Sequence, residues 1–156
     1  NEEAIEVILP ATHFAHVRKV GSFSETCRQA WQELHANLPK VVAAMGPPHA
    51  FFSLYQLDPE MVYMAGVGVQ EKEVNLDSSL IPSELAYFHF PGGKYLQFTL
   101  TGPYDQLPTA VGRVFELVKE RGVSIASDGR YFMENYANNP DTVPAEELVT
   151  HICIPI

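Results

Sequence analysis

At 156 residues, 46% of them hydrophobic, the chain can bury one sizeable core without disulfide or metal staples. Ten Lys and Arg against 19 Asp and Glu give a formal net charge of −9, which argues against a DNA-binding surface and favours cationic partners. Cys27 and Cys153 are too few for a disulfide framework or a zinc site, and no run approaches the ~18 apolar residues of a membrane span.

In chain order, alternation and β-branched residues predict a strand over Ala4–Leu9, stopped by Pro10, and a second over Thr12–Val20. Gly21-Ser22-Phe23-Ser24-Glu25 breaks the pattern. Ser24 is placed to cap a helix through Leu38, with Cys27, Ala30, Trp31, Leu34 and Leu38 on its apolar stripe, and Pro39 and the Gly46-Pro47-Pro48 cluster end this part. His49–Leu57 and Val62–Val69 read as strands joined by Asp58-Pro59-Glu60, and Gln70–Ser83 reads as a polar connector. The pattern then restarts. Leu85–Phe90 is a strand, Pro91-Gly92-Gly93 a tight turn, and Lys94–Thr101 a strand. Asp105 can cap a helix whose buried stripe is Leu107, Val111, Val114, Phe115 and Val118, ended by Gly122. Gly129–Tyr136 is a strand closed by Asn138-Asn139-Pro140-Asp141, and Glu146–Ile156 completes the chain.

An offset of 81 residues lays one half on the other without a gap from Ile5 to Glu60. Pro10 then falls on Pro91, Gly21 on Gly102, Phe51 on Phe132, Tyr55 on Tyr136 and Pro59 on Pro140. Coincidence at turns and strand faces carries weight because special backbone positions demand special residues. The expected fold is α+β: two strand–helix–strand–strand modules in one pseudo-two-fold antiparallel-sheet domain with two main helices. Repeat 1 covers about 4–70, a connector 71–84 and repeat 2 about 85–156.

The copies differ where chemistry can sit. Side chains alternate along a strand, so Phe132, Glu134 and Tyr136 share one face. Ser53 stands opposite Glu134 in the first copy, giving the pair of modules an electrostatic polarity. Glu134 can be an exposed strand glutamate pointing at water or a carboxylate buried among rings; the buried form suits a lipophilic cation, through Coulomb attraction in a low dielectric and cation–π contacts of ~0.5–2 kcal/mol. Phe51, Tyr55, Phe132 and Tyr136 can line a groove or serve as core, and Trp31 can be a pocket wall or helix–sheet core. His13 and His16 fall on opposite faces of a strand, and His35, His49, His89 and His151 are scattered, so no metal site is expected. Gly66-Val67-Gly68 lacks the rest of a dinucleotide fingerprint, no Gly-x-Ser-x-Gly occurs, and no cofactor is expected.

Val17–Phe23 and Thr99–Asp105 resemble the two strand-to-helix corners of the GyrI-like effector-binding domain family, and Pro91–Tyr95 resembles its Pro-Gly-Gly hairpin. Phe132–Tyr136 with Asn138-Asn139-Pro140 is similar to its acid-bearing strand and turn, and Thr150–Ile156 to its closing strand. The first corner lacks the proline, and the first copy lacks a counterpart of Pro144–Glu147. The resemblance implies a single domain over 1–156 that senses hydrophobic, cationic small molecules in a groove between the copies. Glu134, Tyr136, Phe132, Tyr55, Phe51 and Trp31 are the expected ligand-binding residues, with no catalytic residue. The isolated cysteines favour a reduced compartment and a cytoplasmic protein is expected, with no nucleic-acid contact by this acidic domain itself; the resemblance allows an upstream DNA-binding domain or a protein partner. Three alternatives stand beside this reading: a hydrolase of reactive lipophilic compounds using Glu134 as general acid or base, a gyrase-modulating interaction module, and, more remotely, a haem carrier.

Overall fold

The structure is a computed structural model describing residues 2–70 and 81–156, so most of the connector read at 71–84 lies outside the described residues. Its elements run β1 (Ala4–Leu9), β2 (Thr12–Val20), α1 (Phe23–Met45), β3 (Ala50–Gln56), β4 (Val62–Gln70), β5 (Ala86–Phe90), β6 (Gly93–Thr101), α2 (Leu107–Glu120), β7 (Phe132–Tyr136) and β8 (Val149–Pro155). Short 3-10 turns at Tyr104–Gln106 and Ala145–Glu147 precede α2 and β8. The strand pairings within each compact unit are antiparallel, so the class is α+β as expected.

The 81-residue offset maps β2 onto β6 end to end, Thr12 onto Gly93 and Val20 onto Thr101, and β3 onto β7. The compact units nevertheless do not follow the repeat boundaries. One unit joins β1 to β6, α2, β7 and β8, and the other joins β2, α1, β3, β4 and β5. Each unit therefore takes one strand from the opposite half of the sequence: Val7 pairs with Tyr95, and Phe14 with Phe88.

In the first unit the strand order is β1-β6-β8-β7. Leu96, Phe98, Ile152 and Ile154 form the core with Val114, Leu117 and Val118 of α2, and Phe115, Phe132 and Leu107 pack around them. This places α2 over the sheet face that carries the even-numbered residues of β7. Gly122, at φ +66°, follows the last turn of α2, and Val123 N–H bonds back to the Val118 carbonyl. Gly122 thus ends the helix as the sequence predicts.

In the second unit the order is β3-β4-β2-β5, with α1 on the face bearing Ala15, Val17, Ala65 and Val67. On the opposite face Phe14 and Phe52 stack at 4.2 Å across the middle strand β4. Gly66 and Gly68 make room for them, since a Cβ on Gly66 would sit 2.6 Å from the Phe14 ring and one on Gly68 2.8 Å from Phe52. The Gly-Val-Gly stretch is a packing gap for aromatic rings.

Four local expectations are corrected. The first helix does not stop at Pro39 but runs to Met45, where Gly46 at φ +82° ends it. An interior proline costs about 3 kcal/mol. Val41 and Met45 beyond it are 1% and 5% exposed, and burying such side chains contributes about 1.5–3 kcal/mol each, which outweighs the loss. The N-cap position is Ser22, not Ser24, and the two hydroxyls bond to each other at 2.9 Å. Asp105 lies inside a 3-10 turn, so α2 starts later, at Leu107 with Pro108 in its first turn. Pro91-Gly92-Gly93 closes no hairpin: β5 pairs with β2 while β6 pairs with β1 and β8, and Gly92 and Gly93 take positive φ where the chain passes between units.

Candidate functional site

Strand β7 owes its local structure to the aromatic and polar alternation of Phe-Met-Glu-Asn-Tyr, and β8 fixes its register. Glu134 lies opposite Ile152, and Tyr136 opposite Thr150. Directly opposed residues share a face, so Phe132, Glu134 and Tyr136 point to the side covered by α2. Glu134 is 9% exposed. Its Oε1 accepts a hydrogen bond from the Tyr136 hydroxyl at 3.1 Å. The Tyr136 ring meets Tyr104 edge to face at 5.5 Å, and Phe132 meets Phe115 of α2 the same way at 5.1 Å. The structure thus brings together the three expected residues of this strand, with the carboxylate between two edge-to-face aromatic pairs.

Two neighbours describe the medium around that carboxylate. Cys153, one position along β8 from Ile152, has its thiol pushed up to about 12, first by burial and then by the negative charge of Glu134. Burial likewise raises the Tyr104 phenol above its ordinary value. The Thr150 hydroxyl, fully buried on the same face, has no hydrogen-bond partner among the described residues. A buried hydroxyl without a partner costs about 1–3 kcal/mol, a cost that a polar group brought to it would relieve.

The other expected residues form a second cluster, on the α1 face of the second unit. Trp31 Nε1 donates to the Tyr63 hydroxyl at 2.8 Å, and its ring lies 6.0 Å from His35. His35 in turn stacks over Phe51 at 6.4 Å. Tyr55, 3% exposed, meets Phe23 edge to face at 5.7 Å and stacks on Tyr63 at 6.4 Å. Ser53, between Phe51 and Tyr55 in the sequence and aligned with Glu134 at the 81-residue offset, is fully buried. Sequence reasoning missed Tyr63, Tyr104 and Thr150 as neighbours of the site. The correspondence of Phe23 with Tyr104 signals one of them, but β4 and β8 lie beyond the ungapped alignment because the 3-10 turn at Ala145–Glu147 shifts their offset.

A shallow open depression lined by Glu2, Ala4, Ile5 and Arg121 lies at the start of β1, at the other end of the order β1-β6-β8-β7 from Glu134. Its charges are internally matched: Arg113 pairs with Glu2, and Arg121 donates to the Glu2 carbonyl. Among the described residues no three His, Cys, Asp or Glu side chains gather as a metal cluster, and no helix is long and apolar enough to cross a membrane.

Several solved structures are similar in fold. SAV2435 bound to tetraphenylphosphonium superposes with a TM-score of 0.73 at 17% identity, covering 98% of this chain and 93% of that one. The EcmrR C-terminal domain gives 0.72 at 16%, covering 98% and 96%. A hydrolase from Listeria innocua gives 0.63 at 14%, covering 98% and 91%. Among curated protein sequences no match to the chain is found. Residues 5–156 match the family described as GyrI-like small molecule binding domain, and the chain belongs to that family.

Proposed function

We propose that this small-molecule binding domain takes hydrophobic, cationic ligands and that Glu134 supplies their counter-charge. The observation that carries the reading is the burial of that carboxylate, 9% exposed and held by the Tyr136 hydroxyl at 3.1 Å, between aromatic pairs. A charge removed from water favours a partner of opposite sign, and the aromatic faces beside it add cation–π attraction. Tetraphenylphosphonium on the structurally similar SAV2435 supports the ligand class. Trp31, Phe51 and Tyr55 are proposed as apolar ligand surface of the second unit. The likeness to the EcmrR C-terminal domain supports a place as the effector-sensing part of a regulator, with any DNA contact made by another domain.

The test is a thermal-shift titration with tetraphenylphosphonium and with neutral triphenylphosphine oxide, on the wild-type chain and on Glu134→Gln. A ligand selective for the native state raises its apparent stability as its concentration passes Kd. The wild type is expected to prefer the cation by at least tenfold, and Glu134→Gln to lose that preference while keeping the neutral compound. Equal losses for both compounds would refute the role of the carboxylate.

A second reading rests on the Tyr136–Glu134 hydrogen bond, which pairs a proton donor with a carboxylate as general acid–base catalysis requires. The fold shared with a Listeria innocua hydrolase supports it. Turnover of an electrophilic lipophilic compound, abolished in Glu134→Gln while binding persists, would favour hydrolysis over sensing.

A further inference from the structure

Two histidines scattered in the sequence become direct neighbours in the second unit. Strands β2 and β5 are antiparallel, and their register sets His13 opposite His89. The ring centroids are 5.8 Å apart with 54° between the planes. Both side chains lie on the α1 face of the sheet, in line with Ala15 and Tyr87, which are themselves opposite one another. His13 Nδ1 is 2.6 Å from the Tyr87 hydroxyl, and the two rings are 5.8 Å apart.

We propose that His13 and His89 form a two-imidazole binding site for a divalent transition-metal ion of the Cu²⁺, Ni²⁺ or Zn²⁺ class, with Tyr87 as a positioning residue. Three features carry the assignment. The first is spacing: with metal–nitrogen bonds of about 2.0–2.1 Å and the depth of each ring added, two imidazoles on one ion have centroids roughly 5–6.5 Å apart. The observed separation falls within that range. The second is orientation. A metal-binding histidine commonly engages its other nitrogen with a hydrogen-bonding partner, which fixes tautomer and ring direction. Tyr87 occupies Nδ1 of His13 in that manner and leaves Nε2 as the nitrogen to offer. The third is access: His89 is exposed and β5 ends the order β3-β4-β2-β5, so an ion can enter from solvent.

Imidazole nitrogen selects among ions. It suits zinc, copper and nickel, whereas magnesium and calcium require oxygen ligands. The remaining coordination positions go to water or small anions, which makes the site open. The net charge of −9 raises the local concentration of cations near the protein. The other described histidines do not join in: His16 points to the opposite sheet face and stacks on Phe14, His35 projects from α1 beside Trp31 and Phe51, His49 precedes β3, which β4 separates from β2, and His151 pairs with Asn135 in the other unit.

The test uses the full chain free of any polyhistidine tag. Cu²⁺ is titrated while the imidazole signals are followed by NMR, and Zn²⁺ affinity is measured by calorimetry. One equivalent is expected to bind, with paramagnetic broadening centred on the His13 and His89 rings. His89→Ala should weaken Zn²⁺ at least tenfold, His13→Ala as much, and Tyr87→Phe about tenfold. His35→Ala should change nothing, and Mg²⁺ should produce no saturable response. Broadening centred on other residues, or wild-type Zn²⁺ affinity in His89→Ala, overturns the proposal. Because His89 is exposed, that variant retains the fold and decides the matter even if His13→Ala does not fold.

Discussion

The hydroxyl of Tyr136 donates to the carboxylate of Glu134 two residues earlier on the same strand face, at 3.1 Å. Alternation makes the two side chains neighbours, and the pairing of β7 with β8 buries one of them almost fully. The hydrogen bond therefore helps to hold a charge that is almost fully removed from water. Removing the donor in Tyr136→Phe should cost about 1–2 kcal/mol of stability, since hydrogen bonds to charged groups exceed neutral ones. Urea melts measure that loss. Glu134→Gln should be less destabilised than Tyr136→Phe, because a neutral amide tolerates the same burial better. The reverse ranking would show the carboxylate to be well solvated by groups other than Tyr136.

His16 should give the chain an acid-sensitive stability. It is 3% exposed, and burial lowers its imidazole to about 4, opposed weakly by the Phe14 carbonyl. With an unfolded value near 6.5, the unfolded chain binds the proton more tightly between pH 6.5 and 4. The stabilising contribution is thus fully present above pH 6.5 and is lost as pH falls through that window, by about 3 kcal/mol in all. Urea melts at pH 7.5, 5.5 and 4.5 should show a shallower decline for His16→Phe than for the wild type. Parallel declines would assign the acid limb to carboxylates alone.

Two glycines should respond in opposite directions. Gly66→Ala places a methyl 2.4 Å from the Ala15 carbonyl oxygen and 2.6 Å from the Phe14 ring, where β4 lies between β2 and β3. A loss of about 3 kcal/mol or more, or failure to fold, is expected. Gly112→Ala, inside α2 with nothing within 4 Å of the new methyl, should gain about 0.5–1 kcal/mol. Melting curves of the two variants check both signs.

Arg130 ties Ile156, just after β8, to β6. Its guanidinium donates to the Lys94 carbonyl at 2.7 Å and to the Ile156 carbonyl at 2.8 Å, bonds Asp128, and lies 5.3 Å over the Tyr95 ring. Arg130→Ala should cost about 2–3 kcal/mol. Arg130→Lys should recover less than half of that, because an ammonium cannot reach two carbonyls and cover a ring together. Full recovery by lysine would show that charge alone matters here.

Much of the local structure is legible in the residues. Period-2 alternation marks β2 to its last residue, and turn chemistry at Gly122 marks the end of α2. The stripe of α1 is legible only in part: Ala30 and Leu34 are buried as expected, whereas the helix continues to Val41 and Met45 because tertiary burial overrides a proline. The candidate site divides the same way. Phe132, Glu134 and Tyr136 share a face by alternation alone, yet their cover by Tyr104 and Phe115 comes from elements distant in the chain.

By itself the sequence determined the element types, the internal correspondence, and the contrast of Glu134 with Ser53. These depend on neighbours a few residues apart, where steric preference and side-chain period act directly. Only the tertiary structure decided that β1 pairs with β6 and β5 with β2, and so that His13 meets His89 and that Gly66 must stay small between two strands. Strand partners are chosen by which apolar faces can be buried together after long loops close, and no local pattern records that choice.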